Sequence, residues 1–118
     1  MPENKDYLNV PDADGHIHIS EEVAESIAIS AAKEVEGVHN VAPASALPDF
    51  MKKVGSRGVR ITREENNLAL DICLVVEYGV VIPEVAVRVQ AAVASAVESM
   101  TGCAVHHVNV HVVGVHLN

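Results

Sequence analysis

The chain has 118 residues, 49% of them hydrophobic, with sixteen acidic and eight basic side chains and a formal charge of -8. That length suits one domain whose core stands without metal or disulfide staples. The acidic balance, with two Tyr, one Phe and no Trp, lacks the basic patch and stacking aromatics of nucleic-acid binders, so nucleic acid is excluded as a partner.

Residues 1–14 are polar and acidic and carry Pro2 and Pro11, a composition expected to stay disordered. They hold neither a basic n-region nor an apolar h-region, so no signal peptide is expected. A single domain is expected over 15–118. It opens with a short alternating strand, His16-Ile17-His18-Ile19, followed by Ser20 as an N-cap and by Glu21 and Glu22 where a helix dipole favours acids. Val23, Ala24, Ile27, Ala28, Ala31 and Val35 recur at helical spacing, and Gly37 reads as the helix stop. Val38 to Val41 reads as a second strand ended by Pro43.

Within the irregular stretch 43–56, Leu47, Phe50, Met51 and Val54 fall at i, i+3, i+4 and i+7, an amphipathic turn or two that would cap the core. A hairpin follows, with Val59 and Ile61 on its first strand and Asn66-Asn67 at its turn. On the return strand Leu68, Leu70, Ile72, Leu74 and Val76 share one face, and Ala69, Asp71, Cys73, Val75 and Glu77 the other. Pro83 opens a second helix with a stripe from Val85 to Met100, closed by Gly102. The last strand, about Val105 to His116, puts Val108, Val110 and Val112 opposite His107, Asn109 and His111.

The expected fold is therefore α+β, in the order β-α-β-β-β-α-β, with one mixed sheet and two helices packed on one of its faces. Two helices cover only one face. The other, with Ala69, Cys73, Val75, His107, Asn109, His111, Val113 and Val115, is the candidate interaction face, and the long final strand is a candidate edge for pairing with another chain.

Chemistry-bearing motifs are absent: no phosphate-cradling glycine loop, no GxSxG elbow, no CxxC pair. Cys73 and Cys103 read as free thiols in a reducing compartment. Asp71 and Glu77 stand ~20 Å apart along a strand and make no carboxylate pair. His107 and His111 stand ~13 Å apart on a strand, too far to share an ion. His16 and His18, on one strand face, would need ligands from a neighbouring strand. No catalytic residue, metal site, cofactor or small-molecule substrate is assigned on these grounds. No apolar stretch reaches the ~18–20 residues of a membrane span.

Several strings together resemble a known family: Ile-Ser-Glu-Glu-Val (19–23), Glu-Val-Glu-Gly-Val (34–38), Ser-Arg-Gly-Val (56–59), Val-Glu-Tyr-Gly-Val-Val-Ile-Pro-Glu-Val-Ala (76–86), Met-Thr-Gly (100–102) and Val-Asn-Val-His-Val-Val-Gly-Val (108–115). From about residue 15 to 116 the chain is similar to the alkaline shock proteins of the bacterial envelope stress response. The resemblance implies a non-enzymatic, cytoplasmic protein of Gram-positive bacteria. Its partners would be itself or a membrane-anchored relative, through which it associates with the membrane. Two alternatives are an accessory or regulatory partner of fatty-acid and lipid metabolism enzymes, and a histidine-based metal-binding protein. His106, His107 and His116 and the missing charged C-terminal extension depart from the family pattern.

Overall fold

Strand β5 (Asn67–Glu77) is the axis of the domain, bordered by other strands along both of its edges. In the computed structural model, which describes residues 7–12, 15–43, 49, 58–65 and 67–117, the chain runs β1 (Tyr7–Asp12), β2 (Gly15–Ser20), α1 (Glu21–Lys33), β3 (Val38–Val41), β4 (Val59–Glu64), β5, α2 (Ile82–Thr101) and β6 (Ala104–His116). β6 lies parallel along the whole of one edge of β5, and β3 and β4 share the other edge, both antiparallel. They meet end to end at Cys73: Ala42 N donates to Cys73 O, and Cys73 N donates to Gly58 O, both at 2.8 Å. The sheet is mixed because the helical crossover from β5 through α2 returns the chain parallel, whereas the β4–β5 hairpin does not.

Both helices pack on one face, as the single apolar stripe of each requires. Leu68, Leu70, Ile72, Leu74 and Val76 of β5 are buried there against Ala24, Ala28 and Ala32 of α1 and Val85, Val89, Val93 and Val97 of α2. The alanines recur every fourth residue and let α1 approach closely; the valines fill the space above β5 and β6. Ser20 caps α1, its Oγ accepting from Glu22 N at 3.1 Å. Gly102, at φ 75°, closes α2 in the left-handed conformation that its missing Cβ allows.

The α+β class, the mixed sheet and the one-sided helices agree with the sequence reading, and four details differ. Tyr7–Asp12, expected to be disordered, pairs antiparallel with β2, from Tyr7 opposite Ser20 to Asp12 opposite Gly15. The first expected strand thus belongs to a separate two-stranded sheet; alternation along one segment does not say which strand it pairs with. Val23 and Met100, placed on buried stripes by periodicity, are 50% and 66% exposed beside an apolar groove between α1 and α2. α1 ends at Lys33, and Gly37 instead serves the following turn at φ 100°. The amphipathic stretch Leu47 to Val54 lies outside the described residues. No helix among the described residues is long and apolar enough to cross a membrane.

Candidate functional site

The sheet face away from the helices carries two polar clusters, one in the middle of β5 and one at its end. Asp71 centres the first and is only 9% exposed. Its Oδ1 lies 3.0 Å from His111 Nε2 and 3.3 Å from Asn109 Nδ2, both on β6, and its Oδ2 lies 3.2 Å from Arg60 on β4. Register produces this: Asp71 sits between Asn109 on one side and Arg60 on the other. Burial alone would raise the Asp71 pKa; the hydrogen bonds from His111 and Asn109 and the charge and hydrogen bond of Arg60 outweigh it, and the carboxyl falls below its ordinary range. An ionised carboxylate only accepts, so Nε2 of His111 is the protonated ring nitrogen.

Cys73 follows two positions later, fully buried and opposite His111 in the β6 register. It forms a small second core with Ala42, Val75 and Val113. Burial, and after it the negative charge of Asp71, push the thiol pKa up. A nucleophile needs the opposite shift. Cys73 and His111 are strand partners, but the imidazole is turned to Asp71.

The second cluster joins three strands. Glu77 Oε2 is 3.3 Å from Nδ1 of His39, and Glu77 Oε1 is 3.1 Å from Nδ1 of His116. The two imidazoles stack with centroids 3.7 Å apart and planes 4° from parallel. Hydrogen bonding from His116 is the first cause holding the Glu77 carboxyl below its usual range; desolvation opposes it, and His39 adds to it. Two register irregularities build this cluster. β3 pairs Val38 with Val76 and Asn40 with Val75, leaving His39 as an extra residue. β6 pairs Val112 with Leu74 but Gly114 with Val75, leaving Val113 extra, and so brings His116 opposite Glu77. Uninterrupted alternation from Val112 would have sent His116 to the helix side. The backbone pins both flanks: Glu77 N donates to Gly37 O at 2.9 Å, and Tyr78 N to His116 O at 3.0 Å.

The residues of the candidate interaction face differ in exposure and register. Ala69 (6% exposed) and Cys73 (0%) offer almost no surface. The Val113 bulge pairs Val115 with Val76, a helix-side core residue, rather than with the far face. His107 and Asn109 are exposed, and Val75, His111 and Val113 are half-buried. Sequence reasoning missed Arg60 as a partner of Asp71, and it missed the His39–Glu77–His116 cluster altogether. Valine-rich alternation carries no mark of a bulge, and Gly114 beside Val113 was its one local signal.

The model of the alkaline shock protein 23 family, described as having a cell envelope-related function, matches residues 9–117. The chain belongs to this family. It is 33% identical over 104 residues to YqhY of Bacillus subtilis, covering 86% of this chain and 77% of that protein. It is 36% identical over 102 residues to Spy1535 of Streptococcus pyogenes, covering 86% and 79%. YloU of Bacillus subtilis is 35% identical over 106 residues, covering 86% and 88%. Among solved structures, the copper form of the MamM CTD superposes with a TM-score of 0.51 at 16% identity, covering 82% of this chain and 88% of that one. At that identity the likeness is one of fold.

Proposed function

We propose that this family member is a non-catalytic, cytoplasmic protein of envelope stress response or homeostasis, working by self-association and by docking to a membrane-anchored relative. The observation that carries the reading is the outer edge of β6. Among the described residues this thirteen-residue strand pairs with β5 alone. Ala104–His116 contains no Lys, Arg, Asp, Glu or Pro, the residues that usually blunt an open edge. Between its two bulges, His107–Val112 keeps regular register; Val108 O already accepts from Gln90 Nε2 at 3.0 Å, and the remaining outward N–H and C=O groups are offered to the same segment of a second copy. The sheet face supports the non-catalytic half: Asp71 is occupied by three partners, and Cys73 is a buried, protonated thiol.

Light scattering over a concentration series tests the reading. The wild-type protein should grow in mass with concentration. His107→Lys/Asn109→Lys, which adds two charges at exposed positions beside the edge, should move it toward monomer while leaving circular dichroism unchanged. A monomer at every concentration, or equal assembly of both proteins, overturns it.

A further inference from the structure

We propose that His39, Glu77 and His116 form a binding site for a divalent first-row transition metal of the zinc or copper kind. Their candidate ligand atoms, one from each residue, lie within 4.8 Å of one another. Two imidazole nitrogens and one carboxylate oxygen suit zinc, copper or nickel better than magnesium or calcium, which favour all-oxygen sets.

The spacing is close to what an ion requires. Metal–ligand bonds of ~2.0–2.1 Å place neighbouring donors of a tetrahedron ~3.3 Å apart. The two nitrogen–carboxylate separations are already 3.3 and 3.1 Å. One rearrangement is needed: the lone pairs of two stacked, parallel rings do not converge, so the imidazoles must fan open about their side-chain torsions. His39 is exposed and His116 half-buried, which leaves both rings room to turn. The hydrogens now on Nδ1 move to Nε2 as neutral tautomers, and the ion takes the place of the two hydrogen bonds to Glu77. Three protein ligands leave a fourth position open to water.

Two features beyond proximity favour a built site. Both histidines reach Glu77 through register irregularities, His39 as the extra residue of β3 and His116 through the Val113 bulge of β6. Bulges of this sort re-aim side chains, and they are over-represented beside functional sites. The groove alongside is lined by Glu36 and Glu84 as well as Glu77, with Arg88 as its basic residue, a surrounding that draws cations toward the cluster.

Isothermal titration of the full chain with zinc chloride, repeated with copper(II) chloride, tests the proposal. One equivalent of either metal should bind saturably. His39→Ala, His116→Ala and Glu77→Gln should each weaken binding by about tenfold or more, since even outer-shell losses cost that much. His106→Ala/His107→Ala and His16→Ala/His18→Ala should bind as the wild type does. The copper(II) electron paramagnetic resonance spectrum should show two coupled nitrogens, falling to one in His39→Ala. Circular dichroism of that variant, which changes an exposed side chain, separates ligand loss from misfolding. No saturable binding of either metal, binding indifferent to His39→Ala and His116→Ala, or binding lost with either control pair overturns the site.

Discussion

His111 Nε2 stands 3.0 Å from Asp71 Oδ1 across the parallel strand pair β5–β6. Asn109 on the same strand and Arg60 on β4 complete the ring around this carboxylate. Both neighbouring strands, β4 and β6, thereby converge on one side chain of β5 in the centre of the sheet. Asp71→Ala removes the shared acceptor and leaves the Arg60 charge half-buried without it. It should cost about 2–4 kcal/mol in urea unfolding, against about 1 kcal/mol for Asn109→Ala, which removes one of several donors. Equal small losses in both variants would show that the ring contributes nothing beyond a surface contact.

The same carboxylate sets an acid limit on stability. Its folded pKa is lowered, so its contribution is fully present above the unfolded value of about 3.9 and is lost as pH falls through the lower folded value. Urea midpoints of wild type and Asp71→Asn, which does not titrate at that position, should differ most near neutrality. They should converge as the solution is acidified below about pH 4. A difference independent of pH would rule out a lowered Asp71 pKa in the folded protein.

The thiols should react in two classes. Cys73 is buried with its pKa pushed up, and Cys103 is partly exposed. With a disulfide reagent near neutral pH, one thiol of the native protein should react and the second only on unfolding. Cys103→Ser should abolish the first class. Rapid native reaction of Cys73 would contradict both the burial and the non-catalytic reading.

Gly58 and Gly102 share a positive φ, 78° and 75°, yet differ in the space around them. A Cβ at Gly58 would stand 2.7 Å from Val41 Cγ1 and 2.8 Å from Ala42 O, whereas at Gly102 it meets nothing within 4 Å. Gly102→Ala should cost about 1 kcal/mol for the left-handed conformation alone. Gly58→Ala should cost about 2–4 kcal/mol, because the end-to-end meeting of β3 and β4 at Cys73 must also shift. Equal costs would mean that the β3–β4 junction relaxes freely.

What periodicity carries, the sequence made legible: the core face Leu68–Val76, the two helices and the opposition of His107, Asn109 and His111 to Val108, Val110 and Val112. Partnership was legible only where strands follow one another closely, as in the β4–β5 hairpin. The pairing of β1 with β2 was not, because Pro11 and the acidic residues of that segment read as a solvated tail. Sites that depend on parity were hidden too. A single extra residue at Val113 moves Val115 and His116 to the opposite faces from those alternation assigns, and the Glu77 cluster exists because of it. Burial of Ala69 and Cys73 was equally out of reach, since it depends on what the neighbouring strands lay over them.

Amide hydrogen exchange along β6, compared between dilute and concentrated protein, tests the proposed assembly most directly. If a second copy pairs with the open edge, the outward amides of His107–Val112 gain protection on concentration. Those of β5, already bonded on both sides, stay as they are. Exchange along β6 that is the same at both concentrations, under conditions where light scattering reports growth in mass, would contradict edge pairing and place the contact elsewhere on the molecule.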